Sequence, residues 1–289
     1  MITATTRVAA VIGSPVAHSL SPVIHNAGFR SLDAPWVYVA FDVPGGSAQA
    51  AVRAMNVLGI AGLSVTMPHK SDVASVCDRL DAAAAALQSV NTVGRDDDGA
   101  LVGYSTDGAG WVASAREQGI EITHRSIAIV GAGGAARSII DVLAREGAAS
   151  IAILNRTLSA AQTAAQLAQV AFVGTDDHLH SADIVINTTP VGMVTDAVAT
   201  GKSTDQTAAG CLPFDPAMIR AGQVVADIVY YPRQTPLLRA AADRGAVCLD
   251  GLGMLVHQAA IQQQIWLGQT PNVAAMRDAA EQEIARRGQ

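Results

Sequence analysis

At 289 residues the chain is long enough for two domains or one large one. Half of it is hydrophobic, 15% is charged and the formal net charge is −6. That balance favours a sizeable core under a lightly charged surface and argues against a nucleic-acid backbone as partner. No apolar run approaches the length of a membrane span, although the mean hydropathy is +0.28. Residues Met1 to Arg7 show no basic segment followed by an apolar stretch, the pattern of a signal peptide. The three cysteines, Cys77, Cys211 and Cys248, are scattered without a CxxC, which points to a reducing, cytoplasmic setting.

In chain order, Val8–Gly13 reads as a buried strand followed by a loop. Ser21-Pro22 opens a helix, as N-cap and first residue, that runs to about Leu32. Trp36–Asp42 is a second strand, Ser47–Leu58 a helix and Leu63–Thr66 a third strand, with Pro68 starting another helix. An alanine-rich helix over Asp81–Leu87 precedes the short apolar runs Ser89–Val90 and Leu101–Val102. The second half repeats the rhythm. Ile127–Val130 is a strand, Gly131–Gly134 a turn, and Ala135–Glu146 a helix closed by Gly147. Ser150–Leu154, Ile184–Ile186, Val224–Ile228 and Val247–Leu249 read as strands. Helices follow Thr157 and span Leu237–Arg244, Leu255–Leu267 and Val273–Arg287. Thr195–Gly210 is polar and turn-rich, a long mobile loop. Strands alternating with helices mean βαβ units and parallel sheets, so the fold class is α/β.

The strongest local motif is Val130-Gly131-Ala132-Gly133-Gly134-Ala135-Ala136, between a strand and a helix. Glycines there permit a tight turn and close approach of the backbone to a pyrophosphate at a helix N-terminus, and alanine at the third motif position is an accepted variant. An ordinary glycine-rich turn is the plain alternative. The next strand decides for a dinucleotide: it ends in Asn155-Arg156-Thr157, with no carboxylate for a ribose 2′-hydroxyl. Arg156 is instead placed to meet a 2′-phosphate, which makes the cofactor NADP, with NAD the weaker alternative.

A second cluster precedes it in the chain. Ser19-Leu20-Ser21-Pro22 puts two hydroxyls on a strand-to-helix loop; capping explains Ser21 but not Ser19. Ser64-Val65-Thr66-Met67-Pro68-His69-Lys70 places a polar strand end before a helix, with Lys70 in its first turn. There the helix dipole disfavours an ammonium and favours proton release. The chain holds only two lysines, Lys70 and Lys202. Arginine cannot exchange protons, so a lysine at this position points to proton transfer rather than to a solvated surface charge. Asn91-Thr92 and Ser105-Thr106-Asp107-Gly108 are polar loops that would converge at the carboxyl ends of parallel strands. His178-x-His180 beside Asp176-Asp177 reads as a surface loop rather than a metal site, and His69 and His257 as packing or rim residues.

These segments resemble the shikimate dehydrogenase family: Gly13-Ser14-Pro15, His18–Pro22, His25-Asn26, Val65–Lys70, Val90–Thr92, Thr106–Gly108, Gly131–Arg137, Asn155–Thr157, Asn187–Met193, Asp227–Pro236 and Asp250–Gln258. They run in family order from about residue 11 to residue 258. The resemblance implies two parallel-sheet α/β domains: a substrate domain over 1–106, completed by helices at 251–289, and a Rossmann-like NADP domain over 107–250. It implies Lys70 and Asp107 as catalytic pair, and Ser19, Ser21, Thr66, Asn91, Tyr230 and Gln258 as substrate contacts. The cofactor contacts it implies are Gly131, Ala132, Gly133, Gly134, Ala135, Asn155, Arg156, Thr157, Ile228 and Gly251, with no metal. The implied activity is reversible NADPH-dependent reduction of 3-dehydroshikimate to shikimate, a step of chorismate and aromatic amino acid biosynthesis, by a monomer or homodimer.

Three positions depart from the family pattern. Asparagine is usual where this chain has Ser64 and Ser105, and many members carry a second basic residue near Ser159-Ala160. Ser64 would enlarge the pocket and remove a donor, and Arg156 would hold a 2′-phosphate nearly alone. The rival readings are a quinate or aminoshikimate dehydrogenase and, in another class, a non-catalytic NADP-binding regulatory module. The latter would be expected to have lost Lys70 or Asp107. A folate-type methylene dehydrogenase is disfavoured by the Ser19–Pro22 loop.

Overall fold

The computed structural model describes residues 2–194 and 211–287. The Thr195–Gly210 expectation lies outside them. The chain divides into two units, Met1–Gly110 with Val256–Gln289, and Trp111–Leu255.

The first unit opens with β1 (Arg7–Gly13), α1 (Ser21–Ser31), β2 (Trp36–Asp42), α2 (Ala48–Leu58), β3 (Ile60–Val65) and α3 (Lys70–Ala74). It continues through β4 (Arg79–Leu80), α4 (Ala82–Leu87), β5 (Thr92–Arg95) and β6 (Leu101–Tyr104) into α5 (Asp107–Glu117). Its sheet order is β2-β1-β3-β5-β6-β4. Every pairing is parallel except those of β5, which runs antiparallel to both β3 and β6. Every residue of β3 is buried, so the strand reads as an unbroken run instead of an alternation, as expected of a strand covered on both faces.

The second unit holds β7 (Ser126–Val130), α6 (Gly134–Arg145), β8 (Ser150–Leu154), α7 (Leu158–Ala165), β9 (Ala171–Val173), α8 (Asp176–Ser181) and β10 (Ile184–Asn187). After a short 3-10 turn at Pro216–Met218 come β11 (Val224–Asp227), α9 (Pro236–Asp243) and β12 (Val247–Leu249). The sheet order is β12-β11-β10-β7-β8-β9, all parallel. Its centre, with Ile127, Ile129, Ile151, Ile153, Ile184 and Ile186, packs on Ile139, Ile140 and Leu143 of α6. β-Branched residues suit a fully covered sheet. The chain passes between units within α5 and within α10 (Gly251–Leu267), and ends in α11 (Val273–Arg287).

Several sequence expectations need correction. α5 was not foreseen, because Asp107-Gly108-Ala109-Gly110 has poor helix propensity and only tertiary packing makes it a helix. α10 begins at Gly251 rather than Leu255, again through glycines. Pro68 belongs to a turn rather than to a helix start, and α3 begins at Lys70 behind a His69 cap. Asp176–Ser181 is a helix rather than a loop, closed by a capping box in which the Thr175 hydroxyl and the His178 ring serve each other's backbone.

Candidate active site

In the first unit the ends of β1, β3 and β6, and the start of antiparallel β5, fall at one edge of the sheet. Thr66 follows β3, Ser105 to Asp107 follow β6, and Asn91 precedes β5, so three loops meet there. Lys70 Nζ donates to Asp107 Oδ2 at 2.6 Å, with both side chains largely but not fully covered. The other oxygen, Oδ1, accepts from Asn91 Nδ2 at 2.7 Å. Asn91 is itself fixed: its Oδ1 accepts from the Thr92 hydroxyl at 2.9 Å and the Thr106 amide at 2.8 Å. Backbone bonds complete the frame, with Val90 N on Lys70 O at 2.9 Å and Asn91 N on Tyr104 O at 3.0 Å. Asp107 also begins α5, where an anion is favoured. The pair is a clamped ammonium–carboxylate open to solvent on one side, the equipment for delivering or removing one proton.

Gln258 packs on the helix that Asp107 begins. One turn after Asp107, Gly110 lets α5 touch α10 directly: a Cβ there would sit 2.7 Å from the backbone nitrogen of Gln258. Gln258 Oε1 accepts from Gln262 Nε2 at 2.7 Å, and Gln262 Oε1 accepts from the Ser64 hydroxyl at 2.5 Å. Ser64 in turn accepts from the Tyr38 hydroxyl at 2.6 Å. Burial pushes the Tyr38 phenol far above its ordinary range, so it stays a donor. The expected enlargement at Ser64 is therefore not what the fold does. The carboxamide of Gln262, a residue the sequence reading passed over, stands against the short serine and fills the position.

The two serines of the α1 loop exchange roles relative to expectation. Leu20 is the cap residue and makes no side-chain cap bond. It is the Ser19 hydroxyl that accepts from Ser21 N, at 3.2 Å. Ser21 instead hydrogen-bonds the Tyr38 hydroxyl. Tyr38 stacks on His25, centroids 4.1 Å apart, and burial pushes His25 down to about 3, so this ring is neutral. Thr66 is half-buried at the end of β3, and Ser105 lies half-buried between β6 and Thr106. His69 is fully buried with Nε2 on Val43 O at 2.7 Å, a packing residue. Tyr230 belongs to the second unit, on the loop after β11.

In the second unit Gly131 adopts φ +113°, and a Cβ there would meet Thr188 Oγ1 at 2.4 Å, so only glycine fits. Gly133 caps α6 with nothing within 4 Å of a would-be Cβ, and Gly133 and Gly134 are exposed. Bare backbone amides thus head a 12-residue helix, a cradle suited to pyrophosphate. Asn155 Nδ2 donates to Thr157 O at 3.0 Å, and Arg156 beside it is exposed. Ile228 and Gly251 come together: a Cβ on Gly251 would lie 2.3 Å from Ile228 O. Ala132 and Ala135 are half-buried flanks of the turn. These residues fit a dinucleotide with a 2′-phosphate. Sequence reasoning missed the buried support behind the β11 loop, where Asp227 accepts from Asn187 Nδ2, Thr235 Oγ1 and Val229 N at 2.9, 2.7 and 3.1 Å. Burial pushes that carboxyl up to about 6 against the pull of these donors. No group of three or more candidate metal ligands occurs among the described residues.

Comparison with known proteins gives consistent likenesses. Residues 11–93 match the shikimate dehydrogenase substrate binding domain, 113–206 the shikimate / quinate 5-dehydrogenase model, and 251–281 the shikimate 5′-dehydrogenase C-terminal domain. A shikimate dehydrogenase (NADP(+)) of Rubrobacter xylanophilus is 39% identical, with 96% of each chain covered. A crystal structure of a shikimate dehydrogenase in complex with NADP+ superposes with a TM-score of 0.88 at 36% identity, over 98% of each chain. The Listeria monocytogenes shikimate 5-dehydrogenase, in complex with shikimate and NAD, gives 0.85 at 31% identity over 96% of this chain and 97% of that one.

Proposed function

This chain belongs to the shikimate dehydrogenase family, and we propose that it catalyses the reversible NADPH-dependent reduction of 3-dehydroshikimate to shikimate. The observation that carries the reading is the Lys70–Asp107 pair at 2.6 Å with its second carboxylate oxygen clamped by Asn91. The first unit is the substrate domain and the second the NADP domain. Bound NADPH supplies a hydride to the ring carbonyl carbon. The carbonyl oxygen then develops alkoxide charge, and Lys70 gives it a proton, passing from ammonium to amine. In the oxidative direction the amine takes the same proton back. Asp107 holds Lys70 and the neighbouring ring hydroxyl, and Asn91 keeps Asp107 from turning away. A positioned proton donor of this kind contributes typically ~10²–10⁴ in rate.

Ser19, Ser21, Thr66, Asn91, Tyr230 and Gln258 are the substrate contacts in this reading. Gly131 to Ala135 cradle the pyrophosphate, Asn155, Arg156 and Thr157 hold the adenosine ribose with its 2′-phosphate, and Ile228 and Gly251 wall the nicotinamide. No helix among the described residues is long and apolar enough to cross a membrane. The enzyme works in the cytoplasm, as cysteines scattered without a CxxC suit, and as a monomer or homodimer. An intact Lys70–Asp107 pair favours an enzyme over a regulatory module.

The test is reduction of NADP+ and NAD+ by the purified protein with shikimate and with quinate, side by side. The highest kcat/KM is expected for shikimate with NADP+. Faster turnover of quinate would transfer the assignment to a quinate dehydrogenase, and no turnover of either would remove it.

A further inference from the structure

α10 should be apolar where it crosses the core, yet it carries Gln258, Gln262 and Gln263, all buried. Gln258 and Gln262 are four apart and share a face. A buried carboxamide without partners is costly, so each must be held by its neighbours, and the partners dictate which arm is oxygen and which is nitrogen. Here the dictation starts at Tyr38, a buried phenol that donates to Ser64. With that hydrogen bond accepted, Ser64 donates its own proton, which must meet the oxygen arm of Gln262. Gln262 is then obliged to turn its nitrogen to Gln258, and does so onto Oε1. The order of donors along the chain engages Gln258 through its oxygen, which leaves the amide nitrogen as its donor arm.

We propose that Gln262 is a positioning residue that sets substrate specificity by fixing the amide orientation of Gln258, so that Gln258 meets the substrate as a hydrogen-bond donor to one of its oxygens. The proposal rests on Gln258 being a substrate contact, as read above. Ser64 and Tyr38 act one step further back, holding Gln262 itself. The serine in place of asparagine and the glutamine four residues beyond Gln258 are then one device.

Gln262→Glu is the decisive variant. Ionised, its carboxylate still accepts from Ser64 but has no proton for Gln258. Gln258 would then flip to donate inward and present its oxygen to the substrate. Protonated, the carboxyl restores both an acceptor for Ser64 and a donor for Gln258. A buried glutamic acid titrates well above its ordinary value, within reach of an assay. The other titratable groups at this position are Tyr38 and His25. In the wild type, burial keeps Tyr38 protonated and His25, at about 3, neutral, although Gln262 faces the His25 ring, so the profile of Gln262→Glu is repeated in a His25→Asn background to remove any titration of that ring beside the new carboxylate. Dividing variant by wild type at each pH removes whatever is common to both proteins.

The expected result is a shikimate KM raised about tenfold at high pH, the worth of one hydrogen bond to a buried group. It should fall back towards wild type as pH drops, with kcat and the NADP+ KM changed less than about twofold. Gln262→Met, which cannot dictate orientation in either state, should raise the shikimate KM by a similar factor at every pH. Gln258→Ala is the reference. If it leaves the shikimate KM unchanged, the substrate contact itself is wrong and the proposal falls with it. If Gln258→Ala raises the shikimate KM but both Gln262 variants keep the wild-type value, only the proposal is overturned. An equal KM increase for Gln262→Glu at all pH values also overturns it, since a merely structural defect has no reason to recover on protonation. Should Gln262→Met fail to fold, the pH profile of Gln262→Glu decides alone.

Discussion

Around Lys70, side chains hold side chains. Lys70 is fixed by Asp107, Asp107 by Asn91, Asn91 by Thr92 and Thr106, and alongside them Gln258 by Gln262, Gln262 by Ser64 and Ser64 by Tyr38. Around Gly131 the walls are backbone, the decisive positions are those with no side chain, and the nearby cation, Arg156, stands exposed. The two regions are prepared in opposite ways. A site that must move a proton at one atom needs its donors locked before the substrate arrives. A site that must hold a long anion needs amides and room, and can leave its one charged contact to be ordered by the ligand. Changes in chemistry should therefore be most damaging in the first region, and changes in charge or bulk in the second.

The largest expected effect tests the first half of that contrast. Lys70→Arg keeps a cation beside Asp107 but removes the ability to release a proton. It should cost about 10²–10⁴ in kcat, the range of general acid–base catalysis, while melting temperature and NADP+ binding stay near wild type. Retention of more than about a tenth of kcat would remove Lys70 from proton transfer, because that loss is far below what such a group supplies.

Next in size is Arg156→Ala, which tests the second half. No carboxylate follows β8, and Ala160 supplies no second cation, so in the proposed reading discrimination for the 2′-phosphate would rest on this guanidinium. A charge-assisted contact of this kind is worth about 1.5–3 kcal/mol, so the NADP+ KM should rise roughly 10–100-fold. The NAD+ KM should stay nearly constant. Equal damage to both cofactors would make Arg156 a structural residue, and the contrast between a locked and an open region would lose its clearest marker.

Much of this was legible in the sequence, for reasons that differ by element. Five strands of the second sheet were read to within a residue or so, because runs such as Ile151-Ala152-Ile153 are bounded by turns and buried on both faces, whereas the short, more exposed edge strand β9 was missed. Lys70 and Asp107 stood out by residue type and by family resemblance, and the structure joins them. What escaped was long-range. Nothing near Gln262 announces that Ser64, 198 residues earlier, will be its partner. The one available signal was the spacing of Gln258 and Gln262 in a mostly apolar helix. α5 escaped for a related reason: its glycines lower helix propensity, and their use, close contact with α10 through Gly110, exists only in three dimensions.

The smallest expected effect concerns that long-range partnership. Read from sequence alone, Ser64→Asn should refill a vacated pocket and tighten shikimate binding. The structure reverses the expectation, since Gln262 already stands against Ser64 and is itself buried. Asparagine is longer than serine, so the new carboxamide must push against the old one, and overpacking of a core costs typically about 1–3 kcal/mol. Ser64→Asn alone should therefore lower the unfolding free energy by roughly that amount. Gln262→Ala alone should also destabilise, by leaving a gap and an unpaired Ser64 hydroxyl. Together the two should cost less than their sum, because the asparagine then occupies the space that the glutamine leaves and offers its oxygen to the Tyr38 hydroxyl. Contacting residues show coupling of about 0.5–3 kcal/mol, and about 1 kcal/mol in the compensating direction is expected here. Urea unfolding of wild type, both singles and the double closes the cycle. Additivity within about 0.5 kcal/mol, the behaviour of independent sites, would mean that Ser64 and Gln262 share a hydrogen bond but not a space.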